Sequence, residues 1–386
     1  MQTVAYARLR RAASPERAGL HAARLDALVS HVDALPGAWC AGAAVLAGRG
    51  PYVAVEHAAG WAARYAAYDP RTGHGTELPR RRWAPARTGT VFDLASLTKL
   101  FTAIAVMQQV ERGIVDLDTG IDHYAREYAG RAAADRGITL RHLLTHRSGL
   151  RPEIPLYEYA TRADRLDALW REEPGGRPGS SVCYSDVNLL LAQQVLETTT
   201  GQGLDVLLIE GVLRPLGMDD TRFRPPRSWR RRTAATEDQR TPWAKLDRGM
   251  LRGAVHDENA YAMGGVAGHA GLFSTTGDLA VLCRTLLTGG AYGTARILAP
   301  SSVAALLAPP GLGFGVDQPR FMGELAGPLS GGRAAGHTGF TGTSLVLDPV
   351  TDTFLILLAN TVHPVRRPAD DAPRAQAATH LARALR

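Results

Sequence analysis

Two hydrophobic periods run through this chain, and where each falls limits the folds open to it. Strand-like segments lie near both ends and helix-like segments fill the middle. After Ser14-Pro15-Glu16, the residues Leu20, Leu25, Leu28, Val29 and Val32 recur at helical spacing, and Pro36-Gly37 ends the pattern. Residues 42–46 and 52–55 read as two short strands, with Gly48-Arg49-Gly50 as the turn between them. Residues 61–90, rich in Arg, Gly and Pro, read as an irregular excursion. From Ser96 to Arg112 the residues Leu97, Leu100, Phe101, Ile104, Met107 and Val110 form one apolar stripe, closed by Gly113. Further helices are predicted over 140–144, 166–171, 186–199, 204–213 and 279–287. Strands follow over 314–316, 334–338, 344–347 and 353–359, then a closing helix over 375–385. Strands from the two ends therefore share one antiparallel sheet. The expected fold is α/β (α+β): residues 1–95 and 286–386 form a sheet lobe flanked by helices, residues 96–285 a mainly helical lobe, and a cleft lies between them.

At 386 residues the chain is long enough for one two-lobed enzyme with a sizeable core. Its net charge of +7 raises the question of an anionic partner. The dense basic clusters, Arg80-Arg81-Arg82 and Arg230-Arg231-Arg232, are short, and no helix-turn-helix, zinc or RNP pattern accompanies them, so no nucleic acid is expected. Cys40, Cys183 and Cys283 are far apart and no CxxC occurs, which supports neither a disulfide framework nor a zinc site. No cofactor is expected. No run of 18 apolar residues and no signal-peptide pattern appears, so the expectation is no membrane and a cytoplasmic location. Only Lys99 and Lys245 among the 44 basic residues are lysines. Lysine can lose its proton in a protein and arginine cannot, so a retained lysine marks a position worth weighing.

Ser96-Leu97-Thr98-Lys99 is an S-x-x-K at the start of the strongest helix. Spacing of three places both side chains on one helix face. A serine hydroxyl needs a base to become a nucleophile, and a buried lysine with a lowered pKa can be that base. The helix N-terminus adds partial positive charge and free N–H donors. Taken alone, the motif also fits a capping serine and an exposed lysine, and about one such match is expected by chance at this length. Tyr184-Ser185-Asp186-Val187-Asn188 opens another helix, with Asp186 as a plausible N-cap and Tyr184 just outside, placed as a proton relay or as a packed aromatic. Gly336-His337-Thr338-Gly339-Phe340-Thr341-Gly342 begins a strand in this reading. Its glycines suit close approach of backbone to a ligand, or an ordinary hairpin entry. The Phe340 N–H, with that of Ser96, would form an oxyanion hole.

The order Ser-x-x-Lys, Tyr, His-Thr-Gly resembles the class C β-lactamase and penicillin-binding-protein family, whose members include DD-peptidases, esterases and transacylases. The segments Leu143–Leu150, Arg214–Met218, Gly271–Thr275 and Val255–Gly271 are similar to the same family, the last to a branch that includes cell-wall-recycling amidases, as are Gly339–Ser344 and Val362-His363-Pro364. The resemblance implies a β-lactamase-like fold. It implies Ser96 as the acylated nucleophile, Lys99 and Tyr184 as handlers of its proton, and the N–H groups of Ser96 and Phe340 as the oxyanion hole. Asp186, Asn188, His337, Thr338 and Gly339 would contact substrate. Two positions depart from the family's β-lactamases. Asp186 stands where they carry Asn in Tyr-x-Asn, and His337 where they carry Lys in Lys-Thr-Gly. An ionised Asp only accepts hydrogen bonds, and a histidine is mostly neutral at pH 7. His256 and His269 read as lining the cleft or, more readily, as structural, without metal-ligand spacing.

The expected function is acyl transfer through Ser96 on a small ester or amide, by an esterase or a biosynthetic transacylase. Its partners are a small-molecule acyl donor and an acceptor that is water, an amine or an alcohol. The alternatives are a cell-wall amidase, DD-peptidase or β-lactamase, and a non-catalytic penicillin-binding-like protein. Oligomeric state is not legible.

Overall fold

A computed structural model describes residues 6–385. Helix α1 (Ala22–Ala34) precedes a hairpin of β1 (Gly42–Arg49) and β2 (Tyr52–Ala63). The middle of the chain carries α2 (Thr98–Glu111), α3 (Leu140–Leu144), α4 (Arg162–Trp170), α5 (Asp186–Thr200) and α6 (Thr276–Leu287). The C-terminal part supplies β3 (Gly315–Val316), β4 (Ala335–Thr338), β5 (Ser344–Asp348), β6 (Thr353–Ala359) and α7 (Ala372–Ala382).

The two ends do share one sheet. Its order is Arg10–Arg11, β2, β1, β6, β5, β4, β3, with Ala84–Pro85 pairing on β2 as well. The hairpin joins the C-terminal strands through β1 and β6, where Leu46 faces Ile356 and Val45 faces Leu357. All these pairings are antiparallel except that of Arg10–Arg11, which runs parallel to β2 and makes the sheet mixed. Side chains alternate between its faces, as the two-residue period requires. Val45, Leu355 and Leu357 pack with Leu25, Leu28 and Leu381 of α1 and α7. Leu46, Ile356 and Leu358 pack with Leu279, Leu282 and Leu286 of α6 and with the helical middle. Each such fully buried side chain contributes about 1.5–3 kcal/mol by leaving water.

Several expectations are corrected. α6 packs on β1, β5 and β6, so the boundary placed at residue 285 cuts through a helix that belongs with the sheet. The turn after β1 lies at Gly50-Pro51, one step beyond the predicted one. Gly48 stays in the strand because the Phe354 ring occupies the space a side chain there would need. The predicted helical start at Ser14 is a short 3-10 turn, Pro15–Ala18, broken by left-handed Gly19 before α1. Residues 61–90 are partly ordered: Tyr65–Asp69 and His74–Glu77 form a hairpin. The middle region also carries short strands, among them Ala235–Gln239 paired with Gly249–Arg252, and Leu272–Ser274 paired with Phe92–Asp93. No helix among the described residues is long and apolar enough to cross a membrane.

Candidate active site

Ser96 lies in a single 3-10 turn, Ala95–Leu97, that runs into α2. The residue before it, Ala95, has φ 47°, a left-handed backbone rare outside glycine. Such strain persists only where the surroundings impose it. Asp93 does so. Its Oδ1 accepts the Ala95 N–H at 2.9 Å and its Oδ2 accepts the His256 N–H at 2.7 Å. Burial raises the Asp93 carboxyl above its ordinary value.

α2 is buried on nearly every side, and Lys99 itself is fully buried. Its ammonium donates to Ser96 Oγ at 2.8 Å and to the His269 carbonyl at 3.2 Å. It pairs with Asp186 Oδ1 at 2.7 Å and lies 4.9 Å from the centre of the Tyr184 ring. Burial alone would lower the lysine, but Asp186 and Tyr184 outweigh it, and Lys99 is held above its ordinary value. The lowered lysine expected from sequence is thus corrected: the carboxylate at position 186 keeps it an ammonium.

Strand β4 ends at Thr338, so the glycine-rich motif closes a strand instead of beginning one, and Gly339–Gly342 forms the turn into β5. Gly342 N–H bonds the Gly339 carbonyl at 3.0 Å. Thr341 Oγ1 and Thr343 Oγ1 donate to the carbonyls of Asp93 and Leu94, at 2.7 and 2.9 Å. These bonds tie the turn that carries Phe340 to the segment that carries Ser96. His337 Nδ1 lies 2.6 Å from its neighbour's carbonyl, that of Thr338, and therefore carries the proton. Burial, then Lys99, brings the His337 imidazole down to about 3, so it offers no fixed cation.

A cavity of about 630 Å³ gathers Ser96, Tyr184, Asp186, His337, Thr338, Gly339 and Phe340 on its walls. Asn188 is not among them. It is fully buried and hydrogen-bonded to Ser148 and His146, which corrects its expected contact with substrate. His256 lines the cavity and its Nε2 lies 2.8 Å from Glu237, while His269 Nε2 lies 2.9 Å from Asp257. Asp186, Asp257 and His269 bring ligand atoms within 4.8 Å of one another. Their charges are already engaged, by Lys99 and by each other.

Sequence reasoning missed Asp93, Asp257, His146 and a set of arginines. Arg366, Arg367 and Arg374 line the same cavity from the segment between β6 and α7 and from the start of α7. Arg366 pairs with Glu237 at 2.7 Å and with Glu258; Arg374 pairs with Asp371 at 2.6 Å and donates to the Gly339 carbonyl at 2.9 Å. In an arginine-rich chain no sequence signal separates these three from the rest. His146 and Asp257 did lie in segments that resemble the family, and those segments were the available signal.

A serine leading into a helix, a lysine one turn on, a tyrosine just before a second helix and a strand end at the same cavity mark a serine hydrolase. The chain belongs to the Beta-lactamase family, which it matches over residues 25–380. It is 35% identical to a protein of Escherichia coli K12 described as "Putative D-alanyl-D-alanine carboxypeptidase", over 73% of this chain and 72% of that one. A protein of the same description from Escherichia coli O157:H7 is 32% identical over 92% of this chain and 86% of its own length. Among solved structures, a penicillin-binding protein homologue from Caulobacter crescentus superposes with a TM-score of 0.68 at 21% identity, covering 95% of this chain and 99% of that one. A class C β-lactamase superposes with a TM-score of 0.72 at 18% identity, covering 98% and 99%. These two likenesses bear on the fold.

Proposed function

We propose that this chain is a serine carboxypeptidase-type hydrolase that cleaves a peptide ending in a D-amino acid through an acyl-enzyme on Ser96. The observation that carries the chemistry is the Lys99 ammonium, 2.8 Å from Ser96 Oγ and 4.9 Å from the centre of the Tyr184 ring. In this reading Tyr184 acts as its phenolate, paired with the Lys99 cation, and takes the Ser96 proton as Ser96 attacks the carbonyl. The ammonium lowers the energy of the negative charge that moves through this pair. The N–H groups of Ser96 and Phe340 hold the oxyanion. Tyr184 returns the proton to the leaving amine, and water then releases the acyl group by the reverse sequence.

The substrate class rests on the relatives' named activity and on the charge of the cavity. A terminal carboxylate needs a cation, and neutral His337 supplies none. Arg366 and Arg374 are already paired with carboxylates, so the guanidinium offered to the terminal carboxylate is that of Arg367, which lines the same cavity and whose planar fork suits such a group. This reading replaces the esterase and transacylase reading as the first choice. The neutral His337 still favours ester turnover as the second.

The test is release of free D-alanine from an acylated peptide ending in D-Ala-D-Ala, beside turnover of a neutral short-chain ester. The proposal expects D-alanine release that is lost in Ser96→Ala. Ester turnover with no D-alanine released would overturn it in favour of the second reading.

A further inference from the structure

His146 lies outside the three motifs, yet its imidazole rests against the Tyr184 phenol, ring centres 4.6 Å apart. Its backbone is left-handed, φ 55°, which a non-glycine residue adopts only where its surroundings over-determine it. The hydrogen bonds around it allow one arrangement. The backbone N–H of Ser185 points at His146 Nδ1 from 3.1 Å, and a backbone amide can only donate. Nδ1 is therefore the acceptor. Asn188 Nδ2 faces the same nitrogen at 3.2 Å and also donates. That orientation leaves Asn188 Oδ1 to accept from Ser148 Oγ, at 2.5 Å, while Ser148 Oγ accepts the Leu150 N–H at 3.1 Å. Each of these bonds sets the donor or acceptor role of the next, which fixes the geometry. The imidazole proton then sits on Nε2. A second proton, on Nδ1, would face two N–H donors.

Tyr184 has few other restraints. It precedes α5, is 47% exposed, and meets His337 only at 5.9 Å between ring centres. Burial, then the Lys99 ammonium, brings His146 down to about 4, in keeping with a ring that stays neutral.

We propose that His146 is a positioning residue for Tyr184: the Ser148–Asn188–His146 chain locks the imidazole, and the imidazole holds the phenol in place beside Lys99. This rests on the reading that Tyr184 handles the Ser96 proton. His146 Nδ1, occupied as an acceptor, takes no part in proton transfer.

The variant His146→Asn tests this with the local fold retained, since Asn tolerates left-handed backbone and its amide oxygen can accept the Ser185 N–H. The expected result is an unchanged melting temperature, with the rate of Ser96 acylation by an activated ester down on the order of tenfold. In a Tyr184→Phe background the same substitution costs nothing further, because the residue acts through the phenol oxygen. Wild-type acylation rates in His146→Asn, or an equal loss in both backgrounds, would overturn the proposal. Nitrogen-15 NMR of the wild-type imidazole gives a reading that needs neither a variant nor turnover. The expected spectrum has the proton on Nε2 and bare Nδ1 from pH 5 to 8; a proton on Nδ1 would overturn the proposal. If wild-type Ser96 takes up no acyl group, it is the function proposed above that fails, and the NMR result alone decides the placement of His146.

Discussion

At the scale of single residues, the decisive substitution within the family pattern is Asp186. An amide at this position would share hydrogen bonds with Lys99; a carboxylate 2.7 Å away pins the positive charge there. Asp186→Asn removes that anion, so Lys99 deprotonates at lower pH than in the native chain. If the ammonium is the working form, the alkaline limb of kcat/KM moves to lower pH in the variant. A pH profile of ester turnover checks this. Movement of the acidic limb instead would return Lys99 to the role of base. Ser96, Lys99 and Tyr184 were legible because their spacing is local and their order is informative. The charge state of Lys99 was not, since it depends on a carboxylate 87 positions away in sequence.

At the scale of elements, the site depends on a crossing between the β4–β5 turn and the segment before α2. Gly339 sits at that crossing. A Cβ there would stand 2.1 Å from Thr343 Oγ1 and 2.4 Å from the Leu94 carbonyl. Gly339→Ala is expected to push the turn away from Ser96 and cut the acylation rate on the order of a hundredfold, since small misplacements are that costly. Stopped-flow acylation measures it; a native rate would show that the turn does not build the oxyanion hole. Elements with a buried apolar face were readable from sequence: Leu140–Leu144 and Thr353–Ala359 have the predicted bounds, and α5 differs by one residue. The hairpin of Tyr65–Asp69 and His74–Glu77 was not. Its strands are short and none of their residues is fully buried, so no apolar period marks them. The turn at Gly339–Gly342 was taken for the start of a strand because glycines carry no side-chain period.

At the scale of the whole molecule, strands from both ends close one sheet around a helical insertion, and several histidines are buried as the halves meet. Burial holds His146, His337 and His363 at about 4, 3 and 4, with Lys99 adding to the first two. The unfolded chain takes up these protons near pH 6.5 and the folded chain does not. Stability is therefore full above about pH 6.5 and falls as the pH drops toward 4. Glu237 extends the loss. Burial raises it, but His256 and Arg366 outweigh this and bring it to about 2, so its contribution disappears between about pH 4.5 and 2. His269 works the other way: burial lowers it, Asp257 and Asp186 raise it further, and its contribution fades as the pH rises. Asp278, which burial pushes up to about 6, and Asp93, raised by burial, oppose the loss with it, whereas His142 and His380, lowered by burial, add to the loss from the three histidines. Melting temperatures from pH 8 to 5 should fall on the acid side; a constant or rising value would contradict the buried, neutral state of the three histidines.

All three scales converge on one atom, Ser96 Oγ. The most direct test is the intact mass of the protein after brief exposure to an activated short-chain ester, with Ser96→Ala alongside. The account predicts a single acyl adduct on the native chain and none on the variant. A native chain that stays folded and unmodified, or an adduct that survives in Ser96→Ala, would contradict it.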